Sequence, residues 1–115
     1  MSEAADEQPL RRAVVHQQNE FAGILEEVAE KGWSFTYDPG YRGIPVSLTL
    51  PVAPEPYFFP QFPLVFEGLL PEGIMLEALL RRLKIDKDDY FTQLVAVGED
   101  LVGSITVYPF KADNK

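Results

Sequence analysis

The sequence contains no cysteine and only one histidine, His16. Without cysteine, the chain forms no disulfide, no thiolate zinc site and no cysteine nucleophile. Secreted domains of this size often need disulfides, so their absence favours the cytoplasm. The sequence also lacks a signal-like apolar N-terminus and any run of about 18 apolar residues, which a membrane-spanning helix requires. We therefore expect a cytoplasmic protein without membrane contact.

Recognisable catalytic motifs are missing as well. Any Ser-His-Asp triad would have to use His16, yet no G-x-S-x-G surrounds a serine, so we interpret His16 as an ordinary surface or edge-strand histidine. Gly68 and Gly73 have the spacing of P-loop glycines, but Ile74 and Met75 follow where Lys and Ser or Thr are required. The sequence predicts a protein that is not an enzyme and that holds no metal or cofactor.

Acidic residues exceed basic ones, and the net charge is −8. This charge argues against direct nucleic-acid binding, which needs clustered Lys and Arg. An acidic decoy for a nucleic-acid-binding protein is an alternative that we rank low, because the carboxylates are scattered among Lys and Arg. The run Asp86-Lys87-Asp88-Asp89 lacks the pattern of a calcium loop. We predict that Asp86 caps a helix and that Asp88 and Asp89 lie in its first turn.

The length of 115 residues suits one domain. The pattern predicts an α+β fold, in which a small antiparallel sheet of four to five strands packs with two to three short helices. Residues 51–61 are rich in proline and predict an extended connection. We expect the domain to cover 10–110, between a flexible acidic tail, 1–9, and a polar tail, 111–115. The predicted strands are 10–18, 21–29, 33–37, 46–50 and 103–108. A helix is the alternative for 21–29, where the alternation of Phe21, Gly23 and Leu25 favours a strand.

Three helices are expected in the second half of the chain. The first covers 64–70 and ends at Pro71. The second covers 74–84 and is amphipathic. The third begins at Asp86 and stops at Gly98. The apolar face of the second helix consists of Leu76, Leu79, Leu80 and Leu83.

The corner between the first two predicted helices is the candidate partner-binding site. Ile74, Met75 and Leu76 are consecutive, and three successive helical residues span about 200°, so they cannot all face one core. At least one of them therefore points outward, which suits a protein contact. The candidate partner-binding residues are Leu70, Pro71, Glu72, Gly73, Ile74 and Met75.

Several segments together resemble a known family. GWSFTYDPGY, PVSLTLP, FPLVFEGLLPEG and DDYFTQLVAVGEDLVGSITVYP occur in this order. The sequence resembles the first N-terminal subdomain of HipA-type serine/threonine kinases, which are toxins of bacterial toxin–antitoxin modules. The resemblance covers about residues 12–109. Kinases of that family continue for several hundred residues into a catalytic core, which this sequence does not contain.

The resemblance implies a HipS-like antitoxin from a tripartite HipBST-type module. Such a protein binds and neutralises a HipT-like kinase toxin by protein–protein contact, and a HipB-like DNA-binding protein completes a ternary complex. The alternative is an excised, non-catalytic subdomain of a full-length HipA-type kinase. The start at Met1 and the polar end at Lys115 favour a complete protein over a fragment.

Overall fold

A computed structural model describes residues 10–28, 32–70, 73–99, 101 and 103–110, with residues 73–75 described by their backbone alone. The described chain contains one five-stranded antiparallel sheet and three helices. The predicted α+β class is therefore confirmed. The elements are β1 Arg12–Gln17, β2 Glu20–Glu27, β3 Trp33–Tyr37, β4 Tyr57–Phe59, α1 Leu64–Glu67, α2 Gly73–Leu83, α3 Tyr90–Ala96 and β5 Ile105–Pro109. The strand order in the sheet is β4-β3-β2-β1-β5.

One face of the sheet forms the core, because side chains on a strand alternate between its two faces. Leu25 of β2 lies opposite Ala13 of β1 on one side and Phe35 of β3 on the other. Val15 lies opposite Val107 of β5. All five side chains are buried. The first three predicted strands are confirmed.

The predicted strand at 46–50 is wrong. This segment forms only an isolated bridge between Ser47 and Leu50, because the Ser47 hydroxyl accepts a hydrogen bond from the Thr49 amide at 3.2 Å and turns the backbone. The Tyr37 hydroxyl holds the segment against the sheet. It accepts from the Val46 amide at 2.9 Å and donates to the Leu50 carbonyl. Burial raises the pKa of Tyr37, so this hydroxyl keeps its proton at neutral pH.

The strand beside β3 is instead β4, within the predicted extended connection. It covers Tyr57–Phe59 and is flanked by Pro56 and Pro60. Proline has no backbone donor, which explains why this strand is so short. The Tyr57 hydroxyl donates to the Pro51 carbonyl at 2.6 Å and fixes the preceding loop.

The helix boundaries differ from the predicted ones at two places. Helix α1 ends at Glu67, before Gly68, and does not extend to Pro71. The N-cap of α3 is Asp89, whose carboxylate accepts from the Thr92 amide at 3.2 Å and from the Thr92 hydroxyl at 2.7 Å. Asp86, the predicted cap, accepts from the Asp88 amide at 3.1 Å and stabilises the turn before the helix.

His16 lies on β1, which is an inner strand with β2 and β5 as its neighbours. Of the two predicted positions, surface or edge strand, the edge-strand position is therefore wrong. The side chain is half-buried on the sheet face opposite the core. Its ring makes edge contacts with Phe21, at 6.0 Å between centroids, and with Tyr108, at 5.2 Å. These contacts make His16 part of an aromatic cluster on that face.

Gly98 follows α3, as predicted, and joins the helix to β5. Its carbonyl accepts a hydrogen bond from the Val107 amide at 2.9 Å. A Cβ atom at position 98 would collide with the Val107 carbonyl oxygen. Close backbone approach, and not a left-handed conformation, therefore requires glycine at this position.

Replacing Gly98 by alanine should lower the free energy of unfolding by about 2–3 kcal/mol, because the clash separates α3 from β5. Chemical denaturation of both proteins measures the difference. Gly40→Ala is the control, since its nearest neighbour is the flexible Asp38 carboxylate at 3.3 Å. We expect the control to change stability by less than about 0.5 kcal/mol. Equal unfolding curves for Gly98→Ala and the unmodified chain would contradict this account.

A candidate protein-docking surface

An apolar groove with a volume of 380 Å³ lies beside β4 and the start of α1. The hydrogen bond from Tyr37 draws Leu50 to one side of it. On the other side, Pro60 and Pro63 restrict the backbone between the strand and the helix. The groove is lined by Thr49, Leu50, Phe59, Pro60, Gln61, Phe62, Pro63, Leu64 and Val65.

Two large apolar side chains, one in the lining of the groove and one adjacent to the lining in sequence, are strongly exposed. Leu64 lines the groove and is 79% exposed, while Leu48, next to the lining residue Thr49, is 98% exposed. Their exposure follows from the local backbone. Helix α1 has one turn and points Phe66 into the core, so Leu64 faces outward. Leu48 lies at the tip of the turn between Ser47 and Leu50. An exposed apolar patch of this kind is typical of a protein contact.

A second cavity, of 310 Å³, adjoins the groove and has a different character. The two cavities share the segment Pro60, Gln61 and Phe62. Because this cavity combines aromatic walls with carboxylates, we call it the acidic pocket. Its lining residues are Arg11, Trp33, Pro60, Gln61, Phe62, Glu67, Asp88, Asp89, Tyr90 and Phe91.

Arg11 forms one wall of the acidic pocket and links the sheet to α3. Its Nε donates to Glu27 at 3.1 Å, and its Nη1 donates to Asp89 at 3.0 Å. The guanidinium also lies over the rings of Trp33, at 5.7 Å from the centroid, and Phe91, at 5.0 Å. Those two rings stack on each other at 5.4 Å. One cation therefore holds two carboxylates and two aromatic rings together.

This contact changes the acidity of both carboxyl groups. The hydrogen bond from Arg11 lowers the pKa of Glu27, against the smaller opposing effect of burial. Burial raises the pKa of Asp89, but hydrogen bonds from Thr92 and Arg11 together outweigh it, and the pKa is lowered overall. Both groups are therefore charged at neutral pH.

Within the described residues, no group of three or more His, Asp or Glu side chains is placed to hold a metal ion. No helix in the described part of the chain has the length and apolarity that crossing a membrane demands. The surface features that stand out are the apolar groove and the acidic pocket, and both are suited to binding another molecule.

Comparison with known proteins identifies the family. The family model described as HipA N-terminal domain matches residues 13–108. The chain belongs to this family. An uncharacterised protein of Haemophilus influenzae is 33% identical over 98 residues, which cover 85% of this chain and 92% of that protein. A solved structure, the N-terminal domain of HipA toxin, has a TM-score of 0.72 and 28% identity, and the match covers 93% of this chain and 99% of that one.

The corner predicted to bind a partner is only partly described in this HipA N-terminal domain. Leu70 is 6% exposed and packs in the core, so it holds the corner in place and offers no side chain to a partner. Pro71 and Glu72 lie outside the described residues. Gly73 begins α2, and Ile74 and Met75 follow in its first turn. Their contact with a partner stays a prediction.

Helix α2 is less covered by the rest of the described domain than its pattern predicted. None of its residues from 76 to 83 is fully buried. The predicted apolar stripe is half-buried at Leu76, Leu79 and Leu80, and Leu83 is exposed. The helix that follows the predicted corner therefore retains apolar surface.

The groove and the acidic pocket were missed at the level of sequence. The acidic pocket is formed by segments that are distant along the chain, and no local motif indicates that they meet. The groove is formed within residues 49–65, but its shape depends on how the loop before β4 folds back on the strand. The one local signal was Pro60-Gln61-Phe62-Pro63, in which prolines bracket an aromatic residue at the place that both cavities share.

The Arg11 contact should make stability depend on acidic pH. The unfolded chain releases the Glu27 and Asp89 protons near pH 4.5 and 3.8, and the folded chain releases them at lower pH. The contribution is therefore complete above pH 4.5 and is lost as pH falls through the lowered pKa values. Arg11→Met should reduce stability by about 1 kcal/mol at pH 7, a modest effect because Arg11 is 41% exposed.

Thermal melting of both proteins between pH 7 and pH 2.5 tests this prediction. The gap in melting temperature between the unmodified chain and Arg11→Met should narrow as the pH falls. Arg12→Met is the control, because its nearest approach to Glu26 is 3.7 Å. A gap for Arg11→Met that stays constant over the whole range would contradict the assignment.

Proposed function

We propose that this HipA N-terminal domain acts as a HipS-like antitoxin, which binds a HipT-like serine/threonine kinase toxin and neutralises it by protein–protein contact. The apolar groove with exposed Leu64, on a domain related to a part of a kinase toxin, is the observation that carries this proposal. A HipB-like DNA-binding protein joins the kinase in a ternary complex.

The groove has the properties of an anchor site. Removing a leucine side chain from water contributes about 1.5–3 kcal/mol, so burial of Leu64 supplies a substantial driving force. The walls of the groove are fixed before a partner arrives, by the Tyr37 and Tyr57 hydroxyl bonds and by the flanking prolines. Little conformational entropy is then lost on docking, which favours affinity.

The relative from Haemophilus influenzae supports a role for this domain in trans. This chain matches 92% of that protein, so that protein consists of little more than this domain. In a HipA toxin the same domain belongs to the toxin chain itself. A domain whose surface is complementary to a kinase can bind that kinase equally well as a separate chain. Such binding is the physical basis for neutralisation.

The proposal predicts that Leu64→Asp weakens binding to a HipT-like kinase by about 2 kcal/mol or more, roughly 30-fold in Kd. When the kinase covers the groove, the new carboxylate would lose its water and would gain no hydrogen bond or ion pair in return. Calorimetric titration of the purified kinase measures the affinity. Because Leu64 is exposed, the melting temperature of the free variant should stay unchanged.

Phe58→Asp is the matched control. Phe58 is 68% exposed and precedes the groove residue Phe59 on β4, but it points to the opposite face of the sheet. The Phe58→Asp variant should therefore bind the kinase with the same affinity as the unmodified chain. Co-expression provides the cellular test, in which the unmodified chain and Phe58→Asp restore growth and Leu64→Asp does not. Normal binding by Leu64→Asp, or loss of binding by Phe58→Asp alone, would move the interface away from the groove.

The start of α2 is proposed as a second part of the same interface. If Ile74 or Met75 contacts the kinase, Ile74→Asp or Met75→Asp should weaken binding by roughly 2 kcal/mol or more at an unchanged melting temperature. If the residue belongs to the core, the same change should lower the melting temperature of the free protein. Measuring affinity and melting temperature for both variants separates these cases. Unchanged affinity in both would exclude this corner.

A further inference from the structure

The acidic pocket has the chemistry of a site for a guanidinium group. Trp33, Phe62 and Tyr90 supply aromatic surface: the ring centroids of Trp33 and Phe62 are 5.1 Å apart and almost perpendicular, and those of Phe62 and Tyr90 are 5.9 Å apart. Glu67 and Asp88 add two carboxylates to the lining. Aromatic faces and carboxylates together favour a planar cation.

Part of the pocket lining already contacts a guanidinium of the chain itself. Arg11 lies over Trp33 and Phe91 while it donates to Asp89. Arg11 uses the carboxylates of Asp89 and Glu27. Glu67 and Asp88 form no ion pair with any residue of the described chain. The pocket thus keeps a cavity of 310 Å³ with negative charge that Arg11 does not neutralise.

We propose that this pocket receives an arginine side chain of the kinase that covers the apolar groove. This inference rests on the proposed function for the identity of the partner. The groove and the pocket share Pro60, Gln61 and Phe62, so a protein that covers the groove also reaches the mouth of the pocket. The net charge of −8 favours approach of a basic surface. The groove then supplies apolar contact, and the pocket supplies charge recognition.

The chain carries its own reporter for a direct test. Trp33 is the single tryptophan and lines the pocket, so its fluorescence responds to occupancy. We would titrate the free protein with Nα-acetyl-arginine amide and, separately, with Nα-acetyl-citrulline amide at constant ionic strength. Citrulline has nearly the same shape without the charge. We expect a saturable change with the arginine compound and none with the citrulline compound.

The double variant Glu67→Gln/Asp88→Asn removes both of these carboxylates with little change of shape. It should weaken binding of the arginine compound about fivefold and binding of the kinase about tenfold, with a reduced dependence on salt. Glu77→Gln/Glu99→Gln is the matched control, because neither residue lines the pocket. Identical titrations with the arginine and citrulline compounds, or an arginine response unchanged in the double variant, would overturn the proposal.

Failure of the proposed function gives a different result. In that case the unmodified chain does not bind the kinase at all, whereas the arginine titration needs no kinase. If the kinase binds, loss of affinity in Leu64→Asp but not in Glu67→Gln/Asp88→Asn would leave the antitoxin function in place and remove the pocket from the interface.

Discussion

The aromatic side chains on the core face of β3 hold this molecule together. Trp33 stacks on Phe91 of α3, Phe35 packs against Phe66 of α1, and Tyr37 hydrogen-bonds to the loop that follows its strand. These three positions alternate along one short strand. A single strand therefore attaches α1, α3 and the loop that contains Val46 and Leu50 to the sheet. The geometry of the groove and of the acidic pocket depends on the same contacts, since Trp33 lines the pocket and Tyr37 positions Leu50 at the groove.

Much of the fold could be predicted because alternation along a strand reports directly on which side is buried. The segment 33–37 alternates large and small side chains, and its large side chains are in the core. The segment 46–50 alternates equally well, yet it forms a turn. There the Ser47 hydroxyl and the Tyr37 hydroxyl provide backbone partners that a sheet neighbour would otherwise supply. Such competition between side chains and strands is decided by tertiary structure.

The candidate surface was less predictable, because its properties arise from distant segments. Arg11 and Asp89 are 78 residues apart in sequence and 3.0 Å apart in the fold. Leu64 and Phe66 are both apolar, and only the orientation of α1 decides that one is exposed and the other buried. The sequence shows that both apolar residues are present, but it does not show which of the two is exposed on the surface. The apolar groove and the charged pocket nevertheless form one continuous area, because they share Pro60, Gln61 and Phe62.

The two edges of the sheet are also informative. The outer edge of β5 already bonds to the Gly98 carbonyl, and the strand ends at Pro109. At the other edge, β4 offers only three residues between two prolines. Neither edge presents a long free backbone that another strand could extend. Short or already bonded edges disfavour edge-to-edge strand pairing, so the exposed apolar groove can make contacts through side chains without offering a free strand beside it.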